Sequence, residues 1–307
     1  MTREPGNTTT EAAPRLSADA EFGYGSFREE VRARFEELLA DADRLSERYR
    51  SATPFPFIVI DDFLPIRAAE TVFRSFPAGD STAWTRLPTQ DQRGKLVTTD
   101  EATIPAPARV LIQELNSGGF VRLLERLTGI PELVVDAKLV GGGLHRIEPG
   151  GKLGVHVDFS HHPTNGLNRR LNLLLYLNKE WKEEYGGHLE FWSSDVKKCE
   201  QRILPIFNRC AIFSTTPISF HGHPEPLRCP PGEARKSLAL YYFTKGRPGE
   251  EDIEHNTLFR SRPGDRFSLS NFIVRSASSG FVQDIMPPVI YRAMKRFWNE
   301  RFSGVKH

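Results

Sequence analysis

The sequence predicts an α+β fold: an antiparallel barrel or jelly roll with helices before and after it. Three observations predict it. From Leu133 onward, short β-branched and aromatic runs alternate with Gly and Pro turns, as an all-β barrel or jelly roll requires. Upstream, apolar residues recur at helical spacing over residues 27–45 and 107–127. Downstream, Pro288 opens a further helix with Ile290, Ala293, Met294, Phe297 and Trp298 along one side.

The elements follow in order. Met1 to Phe22 is rich in Thr, Ala, Glu and Pro and lacks the apolar stretch of a secretion signal, so it reads as a flexible tail. Ser26-Phe27-Arg28-Glu29 has the form of a capping box. Phe27, Val31, Phe35, Leu38, Ala42 and Leu45 then extend one packing helix. Phe55 to Phe63 reads as a strand, and Pro65 suits the first position of another helix. Thr82 to Thr99 is mostly polar, with Pro77 and Pro88 as breakers, and reads as a surface loop. Its Trp84-Thr85-Arg86 segment is a candidate lid, and Trp84 a candidate substrate contact. Pro107 to Leu127 carries two helical patterns separated by Ser117-Gly118-Gly119. Strands follow over 171–178, 187–192, 210–215 and 235–244. The chain therefore divides into a tail at 1–25, a helical region with one early strand at 26–132, a β core at 133–247 and a C-terminal extension at 248–307.

Composition excludes several classes. With 307 residues, 39% of them hydrophobic, one large core is affordable. Lys and Arg total 41 against 39 acidic residues, so no nucleic-acid polymer is expected as partner. Three unpaired cysteines, Cys199, Cys210 and Cys229, point to a reducing compartment and a cytoplasmic location. No apolar run approaches the ~18 residues of a membrane span. The basic face of the last helix, with Arg292, Lys295, Arg296 and Arg301, reads as solvated.

The residues that carry chemistry are His156-Val157-Asp158, then His221, then Arg235. Two imidazoles and one carboxylate form the facial triad that holds non-haem Fe(II) and leaves positions open. On a strand, residues i and i+2 share a face, so His156 and Asp158 can grip one ion together. The alternative is a surface hydrogen-bonded pair. The third ligand has two candidates. His221 follows Ile218-Ser219-Phe220 at a strand end and is preferred; Pro224 places His223 in a turn, where it faces substrate or solvent. Arg235 opens a buried strand and offers the planar fork that matches a carboxylate, which its neighbour Lys236 does not. Asn172 shares a face with Tyr176 and is a candidate for the same pocket, or a buried structural Asn. Arg169 or Arg170 is a candidate for meeting an anionic substrate.

Val155 to Asp158, Tyr176 to Trp181, Gly186-Gly187-His188-Leu189 and Arg235 through Phe243 resemble the double-stranded β-helix core of prolyl-4-hydroxylase-like Fe(II)/2-oxoglutarate oxygenases. The resemblance covers about Leu133 to Lys245 and the strand near Phe57. It implies metal ligands at His156, Asp158 and His221. It implies that Arg235 pairs with the far carboxylate of 2-oxoglutarate and that Tyr176 donates a hydrogen bond to it. The upstream tyrosine of some relatives has no clear match, and His145 is the candidate in that neighbourhood. Fe(II), 2-oxoglutarate and O2 are the implied cofactors, with ascorbate a candidate reductant. Related halogenases carry a small residue where Asp158 stands, so the resemblance implies hydroxylation. A small-molecule substrate (an amino acid, nucleotide, sugar or natural-product intermediate) is the leading expectation. A peptidyl hydroxylase and a catalytically silent metal-binding scaffold are the alternatives, and a homodimer is compatible with either end of the chain.

Overall fold

A computed structural model of the protein describes residues 23–86, 92–249 and 253–265. The expected tail at 1–22 and the helix after Pro288, with its basic face, lie outside the described residues.

Helix α1 (Tyr24–Ala40) buries Phe27, Val31, Phe35 and Leu38, and α2 (Ala42–Ser51) buries Ala42, Leu45 and Tyr49. The single helix expected through Leu45 therefore breaks at Asp41, whose side chain is taken by Arg44. The capping box does not form. Gly23 caps α1, so Ser26 lies inside the first turn and donates to the Gly23 carbonyl instead. Arg28, within the same tetrapeptide, reaches across to Glu114, a carboxylate that Arg32 also holds.

Strand β1 (Phe57–Ile60) leads into α3 (Ile66–Ser75), which Pro65 precedes as the cap residue rather than occupying the first helical position. Strands β2 (Thr85–Arg86) and β3 (Lys95–Thr98) come next. Then α4 (Ala106–Leu115) and α5 (Gly118–Thr128) follow, both packed against α1, with the Ser117 hydroxyl accepting from the Phe120 amide at the start of α5. The remaining strands are β4 (Val134–Val135), β5 (Gly143–Ile147), β6 (Leu153–Val157), β7 (Asn168–Tyr176), β8 (Leu189–Trp192), β9 (Cys199–Ile203), β10 (Arg209–Ser214), β11 (His221–His223), β12 (Arg235–Thr244) and β13 (Leu258–Phe259).

Two antiparallel sheets result. The larger has eight strands in the order β1-β10-β7-β12-β5-β3-β2, with β4 on β12; the smaller runs β13-β6-β11-β8-β9. They face each other as the double-stranded β-helix. Phe55, Phe191 and Phe213 fill the space between them, with ring centroids 4.7 and 5.1 Å apart. The helices cover the other face of the large sheet. Leu171, Leu173 and Leu175 of β7 pack there with Leu238, Leu240 and the helical residues. Strand β7 is thus buried on both faces, which is why LNLLLYLN reads as a continuous apolar run rather than an alternation.

The expected loop over Thr82 to Thr99 is partly wrong. Strand β3 lies within it and pairs with β5 in register, Lys95 opposite Ile147 and Val97 opposite His145. Only four residues alternate there, which is too short a signal to read against a polar background.

Gly143 is where this sheet edge admits no side chain. Its φ is +85°, and a Cβ would lie 2.2 Å from the Thr98 carbonyl oxygen. Gly143→Ala combines left-handed strain with a backbone clash and is expected to cost ~3 kcal/mol or more. Thermal denaturation checks this, and an unchanged Tm would contradict the β3–β5 pairing.

Candidate functional site

The smaller sheet brings the candidate triad together. In its register His221 stands opposite His156, so the two imidazoles share the inner face, with rings 4.4 Å apart. Asp158 follows one residue beyond the end of β6. Its Oδ1 is 3.5 Å from His156 Nε2 and its Oδ2 3.4 Å from His221 Nε2. One ligand atom from each of the three lies within 4.8 Å of the others, and no other such group of three occurs among the described residues.

The ring nitrogens are sorted by their backbone partners. His156 Nδ1 is 2.9 Å from the Gly154 carbonyl oxygen, and His221 Nδ1 is 2.9 Å from that of Ser219. A carbonyl oxygen only accepts, so each Nδ1 carries a proton, and each Nε2 is turned toward Asp158 and is the nitrogen left for a metal. Gly222 permits the approach of the two strands: a Cβ there would meet the Gly154 carbonyl at 2.7 Å.

Asp158 is held from behind. Asn172 Nδ2 donates to Asp158 Oδ2 at 2.7 Å, and Arg169 Nη2 lies 3.2 Å from the same oxygen. Arg169 also donates twice to Asn172 Oδ1. Its guanidinium is sandwiched against Tyr241 at 3.5 Å and Phe159 at 4.5 Å. Burial by itself raises the Asp158 carboxyl; Arg169 and the two imidazoles outweigh it and hold the group well below the usual carboxylate range. The His221 imidazole is pushed down to about 4, chiefly by burial, although Asp158 opposes the shift.

The wall opposite is supplied by the large sheet. Arg235 is buried; its Nε donates to the Gly187 carbonyl at 2.7 Å and its Nη2 to the Tyr176 hydroxyl at 3.2 Å. Gly187 is required by this packing, since a Cβ would lie 2.5 Å from Leu227 Cδ2 and 3.0 Å from Arg235 Cδ. Lys236 points to the other face, over the Phe73 ring. Tyr176 accepts from Arg235 and keeps its own O–H to donate, with no second partner among the described residues. His223 lies beside these groups with both ring nitrogens buried and unpartnered. Burial, then the charges of Arg235 and Lys95, hold its imidazole well below its ordinary range, so it is neutral.

One cavity of about 150 Å³ joins the two walls, lined by the triad together with Arg235, His145 and Arg169 among others. Several sequence expectations change here. His223 is not in a turn; it belongs to β11, past a register irregularity, and lines the cavity with His221. Asn172 faces the cavity, but its amide is committed to Asp158 and Arg169. Arg169 is not a free surface charge. Arg170 points away from the cavity, toward the Thr244 hydroxyl and the Gly246 carbonyl, because adjacent strand residues face opposite sides. Trp84 is not brought in either: its indole donates to Ala78 and its ring packs on Phe76. His145 does reach the cavity, with Nε2 against the Gly141 and Gly142 carbonyls. Lys95, Tyr241 and Phe259 line it too and were not anticipated. Tyr241 was legible, since it shares the parity of Arg235 along β12; Lys95 and Phe259 sit on strands of four and two residues that leave little pattern.

Removing the Asn172 amide tests the brace on Asp158. Asn172→Leu is expected to weaken metal binding by ~10–100-fold, the usual effect of losing such a support. Anaerobic Fe(II) titration reads it, and an unchanged affinity would refute the brace.

Residues 142–243 match the family model described as the 2OG-Fe(II) oxygenase superfamily. The oxygenase match spans β12, β11, β8 and both histidines of the triad, and the cofactors of the superfamily are Fe(II), 2-oxoglutarate and O2. No curated protein sequence matches the chain. Among solved structures, a Trichoplax adhaerens prolyl hydroxylase in complex with a hypoxia-inducible-factor peptide is similar at 19% identity, over 71% of this chain and 96% of that one, with a TM-score of 0.49. A Pseudomonas putida prolyl-4-hydroxylase is similar at 18% identity, over 67% and 98%, with a TM-score of 0.46. HygX from Streptomyces hygroscopicus, solved with nickel and 2-oxoglutarate, is similar at 14% identity, over 71% and 96%, with a TM-score of 0.43. No helix among the described residues is long and apolar enough to cross a membrane.

Proposed function

We propose that this protein hydroxylates a small molecule in an Fe(II)- and 2-oxoglutarate-dependent reaction that releases succinate and CO2. The observation that carries this reading is that a single narrow cavity contains both the His156, Asp158, His221 cluster and the buried Arg235. Two lone-pair imidazoles and one carboxylate are the donor set that suits Fe(II). Tyr176 has an unused O–H, His223 has two unpartnered nitrogens, and both adjoin Arg235. Buried polar atoms without partners are rare, and a carboxylate would accept from the Tyr176 O–H and from the one N–H of His223. The residues present therefore fit both groups.

In this reading His156, Asp158 and His221 hold the metal. Arg235 and Tyr176 hold the far carboxylate of 2-oxoglutarate, and His223 is a further contact to it. When bound, the metal would activate O2, the oxidant: one oxygen atom would go to 2-oxoglutarate, which is oxidised to succinate and CO2, and the other would be available to an unactivated C–H bond of the substrate. The chain positions and protects. Asn172 and Arg169 fix the Asp158 carboxylate in one orientation. Phe159, Tyr241 and Phe259 shield the cavity from bulk water. Asp158 occupies a ligand position that halide would otherwise need, which favours hydroxylation. The small cavity volume favours a small substrate over a chain that must pass through.

Incubation with Fe(II), 2-oxoglutarate and air, first alone and then with a metabolite extract, tests the proposal. The expected results are succinate that depends on all three, and a product heavier by one oxygen. Absence of succinate would reject the reading. A chlorinated product would reject hydroxylation, and an oxidised peptide with no small-molecule product would reject the substrate class.

A further inference from the structure

The cavity carries more positive charge than metal and co-substrate can use. Among the described residues, its charged lining is Lys95, Arg169 and Arg235 against the carboxylate of Asp158. On the reading above, the two charges of Fe(II) are met by Asp158 and the chelating carboxylate of 2-oxoglutarate, and Arg235 is met by the far carboxylate. Lys95 and Arg169 then remain in excess. Arg169 is shared with Asp158 and stacked between two rings. Lys95 has no hydrogen bond or salt bridge among the described residues. Lys95 is half-buried in the cavity wall, and an ammonium there without a hydrogen-bond partner among the described residues is available to an anion.

The sheet register says where that anion would sit. Lys95 stands opposite Ile147, and Ile147 opposite Arg235, so all three project from the same face. Two strand spacings, about 10 Å, separate the backbones that carry the two cations. Lys95 therefore flanks the 2-oxoglutarate position rather than sharing it. Its amine is pushed down to about 8, chiefly by burial, while the attraction of Asp158 opposes the shift and Arg235 and Arg169 add to it. It thus lies within the electrostatic reach of the candidate metal ligand.

We propose that Lys95 binds an anionic group, a carboxylate or a phosphate, on the prime substrate. This rests on the functional reading above and narrows its substrate class. The test uses Mn(II) in place of Fe(II), saturating 2-oxoglutarate, and inorganic phosphate as the probe, with phosphorus relaxation reporting phosphate held near the paramagnetic ion. Wild type is expected to enhance relaxation. Lys95→Gln is expected to weaken phosphate binding by about tenfold or more, the size of one charge-assisted hydrogen bond, and Lys95→Arg to restore most of it. Equal enhancement in wild type and Lys95→Gln would overturn the proposal. So would no enhancement in wild type that has bound 2-oxoglutarate. A 2-oxoglutarate affinity that falls tenfold in Lys95→Gln while phosphate binding is unchanged would reassign Lys95 to the co-substrate and overturn it as well. The charge-transfer absorption of anaerobic Fe(II) protein with 2-oxoglutarate is read first. Its absence in wild type would end the functional reading and this inference together, whereas its presence confines any later failure to Lys95.

Discussion

Asp158→Ala is expected to abolish succinate formation and to weaken Fe(II) binding by about 10³-fold. The carboxylate is the one anionic donor in the cluster, and among the described residues no other acidic side chain lines the cavity to replace it. Its loss also strands a cation. Arg169 is 1% exposed and pairs with Asp158, so truncation leaves a buried guanidinium held only by Asn172 and two rings. Breaking a buried pair from one side typically costs ~3–5 kcal/mol, and part of that will appear as lost stability. Asp158→Asn separates the two effects. It keeps the shape and an oxygen for Asn172 but not the charge, so its Tm should lie above that of Asp158→Ala while turnover stays lost. Anaerobic metal titration, denaturation and succinate assay together read the outcome. Undiminished turnover in Asp158→Ala would remove this residue from the metal site.

Arg235→Leu should leave metal binding intact and raise the KM for 2-oxoglutarate by ~10²–10³-fold, the span of ~3–4 kcal/mol for a buried charge pair cut from one side. The guanidinium is fixed by the Gly187 carbonyl and the Tyr176 hydroxyl, so it pays little entropy on meeting a carboxylate. The remaining N–H groups are what the far carboxylate would use. Leu fills the stem volume against Leu227 without offering a donor. Lys236 cannot substitute, because it faces Phe73 on the opposite side of the sheet. An unchanged KM would move co-substrate recognition elsewhere in the cavity, with His223 and Lys95 as the first residues to test.

The parts of the fold that were legible share one property: their local pattern agrees with their tertiary role. Strands β7, β10 and β12 are apolar enough to be read directly, and β12 was read with the bounds it has. The misreadings are of the opposite kind. The break expected at Ser117-Gly118-Gly119 is narrower than read: Ser117 caps α5, which already includes Gly118 and Gly119. Ser26 looks like a cap, yet packing of α1 on the core starts the helix earlier and leaves Ser26 inside it. The break at Asp41 interrupts an apolar stripe that continues on both sides of it. Strand β3 has only four residues, Lys95 and Val97 on one face and Leu96 and Thr98 on the other, so each face mixes polar with apolar and its sequence resembles a loop.

The candidate site divides along the same line. By itself the sequence determined which chemistry is available. His156 and Asp158 are paired by strand parity, a further histidine follows near 221, and an arginine opens the last core strand; those statements need only the period of a β-strand. What only the tertiary structure decided is which groups meet across strands. Register set His221 opposite His156, turned Arg170 away while Arg169 closed on Asp158, and put Lys95 on the same wall as Arg235. Cross-strand neighbours are distant in sequence, and a shift of one residue in register exchanges every inward side chain for an outward one.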